Sequence, residues 1–245
     1  MRTLSRLRNG LASLQWSEFA LARSRCPFCG PSLFVRLHRG DAGVRCVRCT
    51  AAEIHLALGR ALQELVPDVS SLDACEFSAR GPLVEHLRRR ARSVAVSEYF
   101  ADVEPGRSRD GVRCEDMQRL TYADSSFDLI THTEVLEHVP DDARALAELH
   151  RVLRRGGRML FSVPLHGEAT IERARLVDGA VVHLLPPAYH ADPQRPDTGV
   201  LAFRDYGADL LDRLRGADFA DVRLHTVQSP LAWLPARRIV FARRI

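Results

Sequence analysis

Residues 127–163 constrain the fold of this chain more than any other stretch. Phe127-Asp128-Leu129-Ile130-Thr131 has the length and apolar content of a short buried strand. Asp141 and Asp142 then open a segment in which Ala145, Leu146, Leu149, Val152 and Leu153 recur at helical spacing, so one face can lie on a sheet. Arg154-Arg155-Gly156-Gly157 places basic residues and then glycine where such a helix should stop. Residues 158–163 resume as a second buried strand. Strand, helix, strand is a parallel crossover unit with a right-handed connection, and it predicts an α/β domain built on a largely parallel sheet.

The flanking sequence supplies the rest of that sheet. Residues 72–75 read as the first core strand, ending at Glu76, and residues 83–90 as a helix with Pro82 in its first turn, where a missing N–H costs nothing. Residues 94–96 form a second strand ending near Glu98, residues 107–111 an exposed loop, and residues 112–114 a third strand. A helix over 204–215 and strands over 221–226 and 237–242 complete seven strands. Between 164 and 199 the core pattern breaks. Residues 170–185 alternate as a hairpin turning at Asp178-Gly179, while 186–193 are irregular. An insertion after the fifth strand lies above the C-terminal edge of the sheet and is placed to cover a substrate, with His166, His183, Tyr189 and His190 as contact candidates.

Ahead of this domain, residues 11–22 can form an amphipathic helix. Cys26-Pro-Phe-Cys29 and Cys46-Val-Arg-Cys49 are two Cys-x2-Cys pairs separated by sixteen residues. That is the spacing of a four-thiolate zinc ribbon, in which each pair aims two sulfurs at one point and the tetrahedron is closed, hence structural. Redox or disulfide use of the same thiols is the alternative reading. Residues 51–66 form a helix with Ile54, Leu58, Leu62 and Leu65 on one stripe, stopped by Pro67. The expected organisation is a ribbon at 20–50, a linking helix at 51–67 and the α/β domain at 68–245.

Asp116, followed by SFDLITHTEVLEHVPDDARALAELHRVLRRGGRMLFSVP from Ser126, resembles the class I S-adenosylmethionine-dependent methyltransferases, in the branch of the methyltransferase type 11-like domains. The resemblance implies a Rossmann-like seven-stranded sheet with the last strand antiparallel. It also implies site residues. Glu98 would accept hydrogen bonds from the ribose hydroxyls and Asp116 from the adenine amino group, while the Met117 amide meets the ring. Glu76 holds the acidic position that precedes the glycine loop, and His132 lies where the chain passes the sulfonium. The chain departs from the family in that loop: Ser78, Arg80 and Pro82 stand at the usual glycine positions, with Gly81 displaced by one. Ser78 and Gly81 are therefore the remaining loop candidates. His138 and His190 are the candidates for a catalytic base. Alignment of donor and acceptor is the main requirement with a sulfonium methyl donor, and no residue is obliged to be catalytic.

Composition narrows the partners. All 35 basic residues are arginine, which rules out a lysine base, and the net charge of +4 is modest. The densest basic cluster, 88–92, is too short to track a phosphate backbone and reads as a solvated helix face. No run approaches the ~20 apolar residues of a membrane span, and the N-terminus lacks the long apolar segment of a secretion signal, so the expectation is a cytoplasmic protein without a membrane partner. The expected acceptor is a small molecule. An RNA acceptor stays open, because zinc modules also precede some ribosomal RNA guanine methyltransferases. A non-catalytic binding module stays open because of the altered loop.

Overall fold

The computed structural model describes residues 15–39, 43–192 and 195–245. In chain order β1 (Ala20–Cys26), β2 (Gly30–Arg36) and β3 (Val44–Cys46) form a small antiparallel sheet in the order β1-β2-β3. The helix expected over 11–22 is not what forms: 11–14 lie outside the described residues, 16–18 are a turn, and Ala20 already pairs with Arg36. Period two wins there, since Ala20, Ala22 and Ser24 turn inward while Leu21, Arg23 and Arg25 face solvent.

Helix α1 (Glu53–Leu65) leads into β4 (Asp73–Glu76), α2 (Pro82–Arg90), β5 (Ser93–Glu98), β6 (Ser108–Arg109) and β7 (Val112–Cys114). Then come β8 (Phe127–Thr133), α3 (Asp142–Val152) and β9 (Leu153–Ser162). The insertion holds β10 (Ile171–Glu172), β11 (Ala174–Val177), β12 (Ala180–His183), β13 (Tyr189–Asp192), β14 (Arg195–Leu201) and β15 (Arg204–Asp205). Helix α4 (Leu210–Gly216), β16 (Ala220–Val227) and β17 (Arg237–Arg243) close the chain.

The central sheet runs β16-β17-β9-β8-β4-β5-β7-β6. Strands β9, β8, β4, β5 and β7 are mutually parallel, and β17 is antiparallel to both of its neighbours. The sheet has eight strands where seven were expected. The addition is β6, which pairs antiparallel with β7 through Asp110-Gly111, both at positive φ (50° and 77°). An Asp-Gly pair in that conformation is the favoured two-residue hairpin turn, and it converts the expected loop at 107–111 into an edge hairpin.

Other boundaries differ as well. The stretch 186–193 is not irregular throughout, because Tyr189–Asp192 pairs with β14. The helix expected from Arg204 begins at Leu210, because Arg204 and Asp205 pair with Glu172 and Ile171. The hairpin turning at Asp178-Gly179 forms as expected.

Each face of the sheet carries its own core. On one side α3 and α4 bury Leu146, Leu149, Leu210 and Leu214 against Ile130, Met159 and Val240. On the other, Leu58 and Leu62 of α1 and Leu87 of α2 pack on Leu129, Leu160 and Ile239, and Phe28, Phe34 and Val44 of the N-terminal module join the same cluster. Helix α1 is thus part of the sheet's core as well as a link. Among the described residues no helix is long and apolar enough to cross a membrane.

The module docks through Phe28, and Gly59 makes the docking possible. A Cβ at Gly59 would stand 2.5 Å from the Phe28 ring and 3.0 Å from Pro27. Gly59→Ala is therefore expected to destabilise the protein by about 1–3 kcal/mol, although Ala is the better helix former, because overpacking outweighs propensity at a buried contact. Urea unfolding of the two proteins checks this; an alanine variant more stable than the parent would refute the docking.

Candidate functional site

Three groups of side chains at different places in the fold carry chemical potential. The first is the cysteine cluster. Cys26 ends β1, Cys29 sits in the turn before β2, Cys46 ends β3 and Cys49 lies in the following turn. Their four sulfurs all lie within 4.8 Å of one another, with Cys26–Cys49 and Cys29–Cys46 each at 3.5 Å. A disulfide needs about 2.05 Å, whereas four thiolates at ~2.3 Å from one ion stand roughly 3.8 Å apart. These are residues that could hold a tetrahedral metal. Cys75 and Cys114 are buried on core strands away from this cluster, as expected of apolar fillers.

The second group lines the C-terminal ends of β4, β5 and β8. Glu98 ends β5 in register with Cys114 of β7, and Asp116 follows two residues beyond Cys114. Two carboxylates thus stand at neighbouring parallel strand ends. Glu98 Oε1 accepts the Ala79 N–H at 3.0 Å, which ties the loop after β4 to the end of β5. Asp116 Oδ1 accepts from the Gln118 N–H at 2.9 Å and from its side-chain amide at 3.0 Å, so the carboxylate also stabilises its own turn. Met117 is 5 % exposed and packs in the core, which leaves its backbone as the usable part.

In the loop after β4, the Ser78 hydroxyl donates to the Arg80 carbonyl at 3.1 Å. Gly81 takes φ +111° just before α2, a conformation closed to residues with a side chain, and a Cβ there would meet nothing within 4 Å. The open space, rather than a crowded wall, is what Gly81 leaves on the loop. Glu76 is 2 % exposed and its carboxyl accepts the Thr131 hydroxyl. Burial, with Glu98 nearby, pushes its pKa up to about 8. His132 is fully buried, stacked on Phe161 with ring centroids 4.3 Å apart, and neither ring nitrogen has a hydrogen-bond partner among the described residues. Burial drives its pKa down to about 3, so the ring is neutral.

The third group forms where the insertion meets the segment after β8. The Glu137 carbonyl accepts the Phe203 N–H at 2.8 Å, and His138 Nδ1 lies 2.8 Å from the Leu201 carbonyl. Arg204, buried, donates to the carbonyls of Val139 and Pro140 at 2.6 Å each, and the Tyr206 hydroxyl donates to Asp142 at 2.9 Å. Arg213 joins them at Asp142 and Glu172. This network pins the base of the insertion against 137–142, and it brings the His190 ring to 4.9 Å from that of His138, edge to face. Glu137 raises the His190 pKa above its ordinary value, whereas burial lowers that of His138. Glu134, at the end of β8, is pushed up to about 7 by burial and by Glu137.

Of the four insertion residues expected to face a substrate, only His190 turns toward this group; His166, His183 and Tyr189 are exposed. Glu137 is the residue that the sequence alone does not single out. Its signal was present as a glutamate directly before His138, but only the fold shows it buried beside a histidine from 53 positions downstream.

With this geometry in hand, residues 78–161 match a family model described as a methyltransferase domain. Among curated relatives, the chain is 33 % identical over 131 residues to a demethylmenaquinone methyltransferase of Mycolicibacterium paratuberculosis, covering 49 % of this chain and 54 % of that one. It is 38 % identical over 90 residues to a 27-O-demethylrifamycin SV methyltransferase of Amycolatopsis mediterranei, covering 34 % and 32 %. The chain spans about half or less of the length of the curated relatives it matches. In structure it is similar to an S-adenosylmethionine-dependent methyltransferase of Mesorhizobium loti, with a TM-score of 0.52 at 20 % identity, over 77 % of this chain and 98 % of that one. The fold is therefore the Rossmann-like, mixed-sheet fold seen in the S-adenosylmethionine-dependent methyltransferases.

Proposed function

We propose that this chain is an S-adenosylmethionine-dependent methyltransferase acting on a small-molecule acceptor, with a structural zinc ion held by Cys26, Cys29, Cys46 and Cys49. The observation that carries the activity is the pair Glu98 and Asp116 at neighbouring strand ends, within and beside the loop of a stretch that matches a methyltransferase domain.

The residues present fit the cofactor. Glu98 holds the loop through Ala79 and offers its carboxylate to the ribose hydroxyls. Asp116 would accept from the adenine amino group, with the Met117 amide available to the ring. Ser78 and Gly81 border the methionine end, where the open space at Gly81 offsets the loss of the other glycines. Glu76 and the orphaned nitrogens of His132 supply polar groups behind them. When bound, the cofactor supplies an electrophilic methyl carbon on a sulfonium. The chain's own contribution would be to align the acceptor with that carbon and to exclude water, a role that suits an insertion pinned at its base by Arg204 and Tyr206.

The acceptor class is supported by the relatives, which are named as a demethylmenaquinone methyltransferase, a ubiquinone biosynthesis O-methyltransferase and a 27-O-demethylrifamycin SV methyltransferase. The insertion itself presents apolar Leu176, Val177, Val181 and Val182 on its hairpin. Its arginines are few, and Arg173 is committed to Asp205 and to the Pro186 carbonyl. A polyanion finds little to hold there.

Calorimetric titration of the full chain with S-adenosylhomocysteine tests the reading. Binding is expected, with a loss of about tenfold or more in Glu98→Ala, since a charge-assisted contact to two hydroxyls is worth ~1.5–3 kcal/mol. No binding at millimolar ligand by folded protein would defeat the enzyme reading and leave a non-catalytic module.

A further inference from the structure

Glu137 presents an unusual problem of charge. Its side chain is 1 % exposed, and neither carboxylate oxygen accepts a hydrogen bond among the described residues. A buried carboxylate whose oxygens accept no hydrogen bond carries a desolvation cost of roughly 1–3 kcal/mol or more, and native proteins rarely leave one without a reason. Its nearest polar atoms are His138 Nε2 and His190 Nδ1, each 3.7 Å from Oε1 and beyond hydrogen-bond reach.

The His138 tautomer sharpens the problem. Nδ1 lies 2.8 Å from the Leu201 carbonyl, and a carbonyl can only accept, so Nδ1 carries the proton. Nε2 then presents a lone pair to the Glu137 oxygen. Two acceptors facing each other in a buried space repel unless something positive lies between them.

We propose that Glu137, His138 and His190 form a binding site for one divalent cation. Their ligand atoms all lie within 4.8 Å of one another. Shifts of a few tenths of an ångström would bring all three to the usual ~2.0–2.2 Å of a metal bound by imidazole and carboxylate. Two imidazoles and one carboxylate suit Mn2+, Fe2+, Co2+ or Zn2+ and leave positions open for oxygen ligands. The surroundings are those of a ligand set. His138 donates its other ring N–H to a backbone carbonyl, which fixes the ring and its basicity. The Glu137 backbone is held by Phe203 and the whole turn by Arg204. The site draws its ligands from both sides of the insertion's closure, so a bound ion would tie strand β13 to the end of β8. The inference does not depend on the methyltransferase reading.

Mn2+ is the probe of choice, since its preference for oxygen and imidazole keeps it from the four thiolates. Loss of the free-ion electron paramagnetic resonance signal, titrated into the full chain holding a single equivalent of zinc, which the four thiolates retain in preference, counts bound Mn2+. The expected result is one Mn2+ per chain, with affinity falling at least tenfold in Glu137→Gln and in His190→Ala. Glu137→Gln keeps the shape and removes the buried charge, so without Mn2+ its circular dichroism should match the parent and its thermal transition should be at least as high, which excludes misfolding as the cause. A free-ion signal unchanged by wild-type protein would overturn the proposal, leaving a His190–Glu137 ion pair as the account of the cluster. Equal binding by the variants and the parent would overturn it too, by placing the ion elsewhere. Titration of the same samples with S-adenosylhomocysteine separates the two ideas: Mn2+ binding without nucleoside binding sinks the enzyme reading alone, and the reverse sinks the cation site alone.

Discussion

Replacing Cys46 with serine is expected to release the proposed zinc and unfold the N-terminal module. Cys46 is fully buried at the end of β3, and its sulfur lies 3.5 Å from Cys29 and 3.1 Å from the Ser32 hydroxyl. Serine offers a shorter side chain and a hydroxyl that stays protonated, so three thiolates would remain for an ion that needs four ligands. Structural zinc contributes an apparent ~10–16 kcal/mol to the folding of small ribbon-like modules, comparable with or larger than the ~5–15 kcal/mol that holds a whole domain together. A three-stranded sheet of some thirty residues has no core of its own large enough to compensate. Loss of the ion should also reach the main domain, because Phe28 and Phe34 share a cluster with Leu58 and Leu62 of α1. Metal analysis should find about one zinc per chain in the parent and far less in Cys46→Ser, with a lower or split thermal transition. A chelator should reproduce the effect in the parent. Parent protein free of zinc, with its thiols oxidised, would sink the claim and return the cysteines to a redox or disulfide role.

The parts of this fold that were legible in the sequence are those where one local signal decides the outcome. The strand, helix and strand from 127 to 162 follow from apolar periodicity, and Asp141 caps α3 by accepting the Arg144 N–H, as its position suggests. The two Cys-x2-Cys pairs announce their convergence by spacing alone. Residues 11–22 misled because Leu11, Leu14, Phe19 and Leu21 have an amphipathic helical spacing, whereas pairing with β2 decides where Ala20–Cys26 go. Arg204 looked like a helix start, yet a buried arginine that holds two carbonyls across the chain is a tertiary demand no local pattern records. The same holds for the site. Glu98 and Asp116 could be placed by counting to strand ends, while the meeting of Glu137, His138 and His190 depends on how a long insertion folds back.

The remaining large effect concerns pH and follows from Glu76. Its carboxyl is buried and, among the described residues, hydrogen-bonds the Thr131 hydroxyl alone, and burial, then Glu98, raises its folded-state pKa from 4.5 to about 8. In the unfolded chain it ionises near the ordinary value. Between those two pH values the folded state therefore holds a proton that the unfolded state has lost. Stability must fall as pH rises through that window, by at most ~1.4 kcal/mol per pH unit from this group. Below the window both states are protonated and the contribution is intact; above it both are ionised and the contribution is gone. Glutamine keeps the shape and still accepts the Thr131 hydrogen bond, but it cannot ionise. Glu76→Gln is thus expected to gain stability relative to the parent steadily between about pH 5 and pH 8, reaching a few kcal/mol (about 2–4) at the upper end. The difference between the two proteins isolates Glu76 from other titrating groups, including Glu134. Urea unfolding at pH 5, 6.5 and 8 measures it, and a stability difference that stays constant across those three values would show that Glu76 is ionised in the folded protein at neutral pH.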